Sequence, residues 1–277
     1  MKAVADLPPF SPVLDRLLAT LSSEGVSVSK ISDLIEKDTV IAGNVLKLVN
    51  SALYGRRGTV NSIRHAVALL GINKVRNAVF AMSLTRVWSK VRTAPGWSMA
   101  RFNLHSVACG LLCDYLAQRV SVEYPEGAFA AGLFHDLGEL LIAIALHQEF
   151  QEIQSLSAKG FGSADVCERE VLGISHAELS AEALATWNLP AAIQRAVRFH
   201  HAPDEDDMDV APAQYRLALI VQCADNYIEQ AGMALRDAKE AAGQPLVAFA
   251  PLGLEAAAAD FMAEVEAEMG ALASAFH

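Results

Sequence analysis

Residues 128–146 read Ala-Phe-Ala-Ala-Gly-Leu-Phe-His-Asp-Leu-Gly-Glu-Leu-Leu-Ile-Ala-Ile-Ala-Leu, two apolar runs parted by His135, Asp136 and Glu139. A bilayer span needs about 20 consecutive apolar residues, and these interruptions leave no uncharged stretch of that length. The pattern predicts a buried helix over 125–146, entered at Tyr124-Pro125. Adjacent residues on a helix point about 100° apart, so His135 and Asp136 need a helix end or a central position to serve one cluster. Gly138, close behind the pair, makes such an end achievable.

Working outward, the chain continues as helix. Carboxy-terminal to Pro95-Gly96, periodicity predicts helices over roughly 98–119, 125–146, 162–172, 175–187, 190–200, 211–232 and 257–274, with turns at Leu189-Pro190 and Ala202-Pro203. On the amino-terminal side, Ser29 reads as an N-cap before apolar positions 31, 34 and 35. Asp33–Leu48 follows with a break near Asp38-Thr39, then Asn61–Leu70 and Asn73–Trp88. No alternating polar and apolar run suggests a sheet. The expected fold is all-α, with an amino-terminal helical subdomain over 1–95, a multi-helix core over 96–232 and a helical extension over 233–277. The extension places Leu254, Phe261, Met262 and Val265 among acidic residues, as a packed amphipathic helix does.

Composition narrows the function classes. The chain has 277 residues, 53% of them apolar, enough for one large or two packed helical domains and too many for large-scale disorder. Met1–Pro9 lacks the charged-then-apolar pattern of a secretory signal, so a soluble cytoplasmic protein is expected. Phosphate-binding loops, dinucleotide fingerprints, nucleophile elbows and repeats with periods of 20–50 residues are absent from the sequence. Residues 1–101 hold fourteen Lys or Arg against six Asp or Glu, whereas the remainder holds eight against twenty-six. Arg56–Arg101 alone has nine basic residues and no acidic one, while Asp204–Asp209 is almost wholly acidic. Such asymmetry implies either attraction between the parts or a basic surface at 56–101 for a signalling protein or an anionic, phosphorylated ligand. Nucleic acid is not expected as a partner.

The histidines are the strongest chemical signal. His105, His135, His176, His200 and His201 are five of only eight, and with Asp136 and Asp225 they are scattered over 121 positions that read mostly as helix. Asp225 sits in Ile220-Val-Gln-Cys-Ala-Asp, where burying a lone carboxylate is costly unless it is paired or metal-bound. Mixed imidazole and carboxylate donors suit Fe, Mn, Ni or Zn. Seven side chains exceed the needs of one tetrahedral ion; if all converge, two ions about 3.5–4 Å apart with Asp136 as the bridge would use them. Each also has a plainer reading, as a hydrogen-bonded core or surface residue. His105, Cys109 and Cys113 form an i, i+4, i+8 row that could bring thiolates near a metal or could be small core residues.

Phe134-His-Asp-Leu-Gly and the order His105, His135-Asp136, Asp225 resemble the HD superfamily of metal-dependent phosphohydrolases. His176 and His200-His201 resemble the expanded ligand set of HD-GYP phosphodiesterases. That resemblance implies one metal held by His105, His135, Asp136 and Asp225, and another by Asp136, His176, His200 and His201. Leu7-Pro-Pro-Phe-Ser-Pro-Val-Leu, Lys37–Gly55, Ala66-Val-Ala-Leu-Leu-Gly, Gly132–Gly138, Gly173–Glu178, Trp187–Pro190 and Phe199-His-His together resemble the HDOD family, over about residues 7–230. The HDOD likeness implies an amino-terminal helical subdomain, an HD-like core and a signalling-output or partner-binding role. Three positions depart from the phosphodiesterase pattern: Glu139 replaces a lysine, Arg101 stands where a carboxylate helps hold metal, and no Gly-Tyr-Pro follows His201. The expected function is therefore an output module that retains a metal site. The alternative is a dinuclear phosphohydrolase with Asp136 as its catalytic, metal-bridging residue.

Overall fold

Side-chain caps set where the helices begin. Ser27, Asp38, Ser62, Ser98 and Ser175 each occupy an N-cap and accept hydrogen bonds from backbone N–H groups of the first turn. In a computed structural model, which describes residues 12–21, 27–54, 59–88, 91–235 and 245–276, they open five of the α-helices. Ser27 rather than Ser29 is the first of these caps: Val28 already starts the helix, while Ser27 is extended and its Oγ accepts from Lys30 N at 3.2 Å.

The chain divides into two compact units. One holds described residues 12–21, 27–54, 59–88 and 259–276. Its helices are α1 (Pro12–Thr20), α2 (Val28–Ile35), α3 (Thr39–Val49), α4 (Ile63–Leu70), α5 (Ile72–Trp88) and nearly all of α14 (Ala258–Phe276). Asp38 caps α3, so the expected break at Asp38-Thr39 is present. Val75, Val79, Phe80, Leu84 and Trp88 bury α5 among α1, α2, α3 and α4. Removing side chains of this size from water contributes about 1.5–3 kcal/mol each. On α14, Phe261, Val265, Glu268 and Leu272 form a buried stripe, and Glu268 pairs with Lys74 at 3.5 Å. That helix thus falls in the unit of the amino-terminal helices, whereas the sequence reading set 233–277 apart.

The other unit holds described residues 91–235 and 245–258. It comprises α6 (Met99–Ala117), α7 (Ala128–Phe134), α8 (Leu137–Ala145), α9 (His147–Ala158), α10 (Ala164–Leu172), α11 (His176–Thr186), α12 (Ala191–Arg198) and α13 (Leu217–Ile228). Two glycines allow the tight crossings. A Cβ on Gly132 would lie 2.7 Å from Cys109 O, which sets α7 directly on α6. One on Gly138 would lie 2.1 Å from His176 O, which sets α8 on the start of α11. The periodicity reading left out α9, yet its Phe150 and Ile153 pack with Ile142, Ala143 and Cys167 in one core cluster.

The expected helix over 125–146 is three pieces: a 3₁₀ turn at Pro125–Gly127, α7 and α8. With Asp136 and Glu139 tolerated, Pro125–Ala145 is long and apolar enough to pass as a membrane span by composition, but 89% of its most apolar 18-residue stretch is buried inside the protein. The helix expected over 211–232 starts only at Leu217, because Tyr215 is drawn into a parallel bridge with Val122. Among the described residues there is no β-strand.

Candidate metal centre

Broken helices and helix ends bring the seven candidates together within the second-described unit. His105 lies mid-way along α6 and is fully buried. His135 follows the last turn of α7, and Asp136 is the N-cap of α8, with no side-chain cap hydrogen bond. Its carboxylate is therefore left for the histidines. His176 opens α11 after a capping box made by Ser175 and Glu178. His200 and His201 lie in the turn just past α12, which ends at Arg198 rather than carrying the pair to its last residue. Asp225 comes from α13.

Backbone carbonyls fix the ring orientations. Nδ1 of His105 donates to Met233 O at 3.0 Å, Nδ1 of His135 to Gly132 O at 2.7 Å and Nδ1 of His200 to Val197 O at 2.7 Å. A carbonyl can only accept, so each Nδ1 carries a proton and each neutral ring presents its Nε2 lone pair to the interior. Met233 ends a π-helical turn, Glu229–Met233, in which Gly232 takes φ of 85°. Nδ1 of His176 is held differently, by the buried Glu168 carboxylate at 2.6 Å.

The Nε2 atoms then converge. Those of His105 and His135 are 3.2 Å apart, and those of His176 and His201 are 2.9 Å apart. Asp225 Oδ1 lies 3.2 Å from His105 Nε2 and 3.5 Å from His135 Nε2. Asp136 faces both groups. Its Oδ2 is 3.3 Å from His105 Nε2 and 3.4 Å from His135 Nε2, while its Oδ1 is 3.4 Å from His176 Nε2 and 3.7 Å from His200 Nε2. His200 Nε2 and Asp225 Oδ1 are buried without a hydrogen-bond partner.

This donor set fits divalent ions. Lone pairs facing one another at about 3 Å repel unless a proton or a cation lies between them. An ion with bonds of about 2.1 Å spaces adjacent donors about 3.0 Å apart in an octahedron and about 3.4 Å in a tetrahedron. The observed spacings fall around those values. Without a cation, protons balance the carboxylates. Burial alone would lower His176, yet Glu168 and then Asp136 drive it up to about 10. Burial likewise opposes charge on His105 and His135, but for His105 the Cys109 sulfur, Asp136 and Asp225 outweigh it, and for His135 Asp136 and Asp225 do. Despite their own burial, Asp136 and Asp225 are held well below the usual carboxylate range by the imidazoles. His200 is pushed well down by burial and then by neighbouring rings.

Two supporting residues had escaped the sequence reading. Glu168 is fully buried, and one of its oxygens accepts from both the ring and the backbone N–H of His176. Ser180 donates to His135 O at 2.8 Å and accepts from Gly138 N at 2.7 Å, tying α11 to the His-Asp segment. Glu139 is buried and offers a carboxylate oxygen beside Asp136 and His176. It also lines a cavity of about 380 Å³ with Arg101, Trp97 and Phe150. A second cavity, of about 480 Å³, reaches His201 and is lined by Asp165, Arg169, Glu178, Arg198 and Glu205.

Comparison with known proteins agrees on the architecture. A candidate phosphohydrolase from Shewanella amazonensis superposes with a TM-score of 0.74 at 23% identity, covering 100% of this chain and 97% of that one. An HDOD domain protein from Geobacter sulfurreducens gives 0.72 at 21%, covering 94% and 92%. A candidate signal transduction protein from Marinobacter aquaeolei gives 0.75 at 22%, covering 98% and 60%. At these identities the likeness is one of fold. A Treponema pallidum protein is 25% identical over 215 residues, 77% of this chain and 40% of that protein. Bacillus subtilis YuxH is 28% identical over 50% of this chain and 31% of its own length. The chain thus spans less than half the length of either relative. The HDOD domain model matches residues 7–203, which stops short of Asp225 and of the limit near 230 expected from the sequence. With that match over most of its length, the chain belongs to the HDOD domain family.

Proposed function

We propose that this chain is an HDOD signalling output module whose HD-like unit retains a two-ion centre of Fe, Mn, Ni or Zn. The observation that carries this reading is Asp136, whose two oxygens face two different sets of imidazoles at 3.3–3.7 Å. His105, His135 and Asp225 would complete one half, and His176, His200 and His201 the other. When bound, such ions supply Lewis acidity and cross-link α6, α8, α11 and α13. The chain's own residues fix the imidazoles and exclude water from the deeper half. The four buried, free cysteines suit a reducing cytoplasm.

Cavity electrostatics favour a module over a hydrolase. In the cavity at His201, Arg169 is engaged by Glu178 at 2.7 Å and Arg198 by Glu182 at 2.8 Å, with Asp165 and Glu205 adding negative charge. In the other cavity Glu139 accompanies Arg101. Neither lining carries a net positive charge for a phosphodiester. A second reading, a dinuclear phosphohydrolase, draws on the same bridging placement of Asp136. Metal analysis of the purified chain with an assay on a generic phosphodiester separates them: close to two ions without turnover supports the module, turnover lost in His135→Ala supports the hydrolase, and no metal overturns the centre.

A signalling protein or anionic ligand is proposed at the basic residues of 56–101. Arg56, Arg57 and Lys90 lie outside the described residues. Within their unit Arg64, Lys74 and Arg86 pair with Asp33, Glu268 and Asp38 at 3.5–4.0 Å, which reduces the free positive charge. Affinity for such a partner should fall as salt rises; an unchanged affinity rules this role out.

A further inference from the structure

One half of the centre contains a sulfur that the ligand set above does not use. Cys109 lies one turn beyond His105 on α6, fully buried, with Sγ 3.6 Å from His105 Nε2. Donor atoms of His105, Cys109, His135 and Asp225 all lie within 4.8 Å of one another. A tetrahedral ion with bonds of about 2.1 Å to nitrogen and about 2.3 Å to sulfur sets N···S at about 3.6 Å and N···N or N···O at about 3.4 Å. The corresponding distances are 3.6 Å to sulfur, 3.2 Å between the imidazoles, and 3.2 and 3.5 Å to Asp225 Oδ1. Asp225 Oδ1 has no hydrogen-bond partner although the residue is only 7% exposed, so a second buried donor points into the same space independently of the cysteine. Cys113, one turn further along the row, is placed differently: its Sγ approaches Ile220 O at 4.0 Å.

We propose that Cys109 is a thiolate ligand of the ion in this half, a fifth donor beside His105, His135, Asp225 and the bridging Asp136, which makes the shell partly soft and favours zinc over manganese there. The inference rests on the metal-centre reading above. On binding, the S–H bond breaks, a sulfur–metal bond forms and the proton leaves to solvent. The half formed by His176, His200 and His201 has only nitrogen and oxygen donors and carries no such preference.

The test uses the full chain, stripped of metal and reloaded with Co(II), read by absorption spectroscopy. The expected result is an intense sulfur-to-cobalt charge-transfer band in the near ultraviolet, lost in Cys109→Ser and Cys109→Ala and kept in Cys113→Ala. Zinc affinity of the tighter site should fall by about tenfold or more in Cys109→Ser, with manganese affinity little changed. Cobalt bound by the wild-type chain without that band overturns the thiolate and leaves the centre standing. A chain that binds no cobalt, zinc or manganese overturns both. The wild-type spectrum decides the question even if a variant fails to fold.

Discussion

The two halves of the cluster are built from opposite materials. One half draws on α6, the α7–α8 break and α13, where His105 and His135 are fully buried and two carboxylates face two imidazoles. The other half sets three imidazoles, from the start of α11 and the turn after α12, against a single oxygen of Asp136. His201 is exposed there and borders the 480 Å³ cavity. Charge balance differs accordingly, because Glu168 stands behind His176 rather than within the donor set. A buried half rich in carboxylate suits a retained ion, while an open half rich in imidazole suits exchange. Asp136 is common to both.

Disrupting that shared residue should have the largest effect. Asp136→Asn removes the bridging charge, and metal content should fall from about two ions per chain to fewer than one. The metal-dependent part of stability, about 4 kcal/mol at a metal concentration a thousandfold above Kd, should vanish, as thermal melts with and without chelator would record. Gly138→Ala comes next, since a Cβ 2.1 Å from His176 O forces α8 and α11 apart. Denaturant unfolding should register a loss of about 1–3 kcal/mol, and metal analysis should report loss of the outer ion alone. If both ions are lost, the halves are not separable at α11; if both survive, the close approach of α8 to α11 does not hold the outer ion.

Smaller changes sharpen the contrast. Glu168→Gln keeps the shape but removes the charge behind His176, so calorimetric titration should find the outer site weakened by about 10–100-fold and the inner one unaltered. Ser180→Ala removes the hydroxyl that links His135 O and Gly138 N. A destabilisation of about 1–3 kcal/mol with unchanged metal stoichiometry is expected; a lost ion would make Ser180 part of the centre's support.

Much of this was legible in the sequence because it depends on local pattern. The break at Asp38-Thr39 and the seven His and Asp positions are short-range signals. Ser27 was missed in favour of Ser29 because both are followed by apolar residues at helical spacing, and only backbone conformation separates them. Residues 147–158 carry just two buried apolar side chains, Phe150 and Ile153, so their three-residue spacing was a thin signal for α9. Glu168 precedes His176 by eight residues and meets it only after the chain reverses at Gly173, where φ of 72° ends α10. Such a meeting has no local signature. Cys109 could be read from spacing as neighbour to His105, but its distance from the other donors required the fold.

Anomalous diffraction from crystals grown with the native metal tests the two-half centre most directly. Two peaks about 3.5–4 Å apart, one on each side of the Asp136 carboxylate, are predicted. A single peak remote from Asp136, or no peak among these histidines, would contradict it.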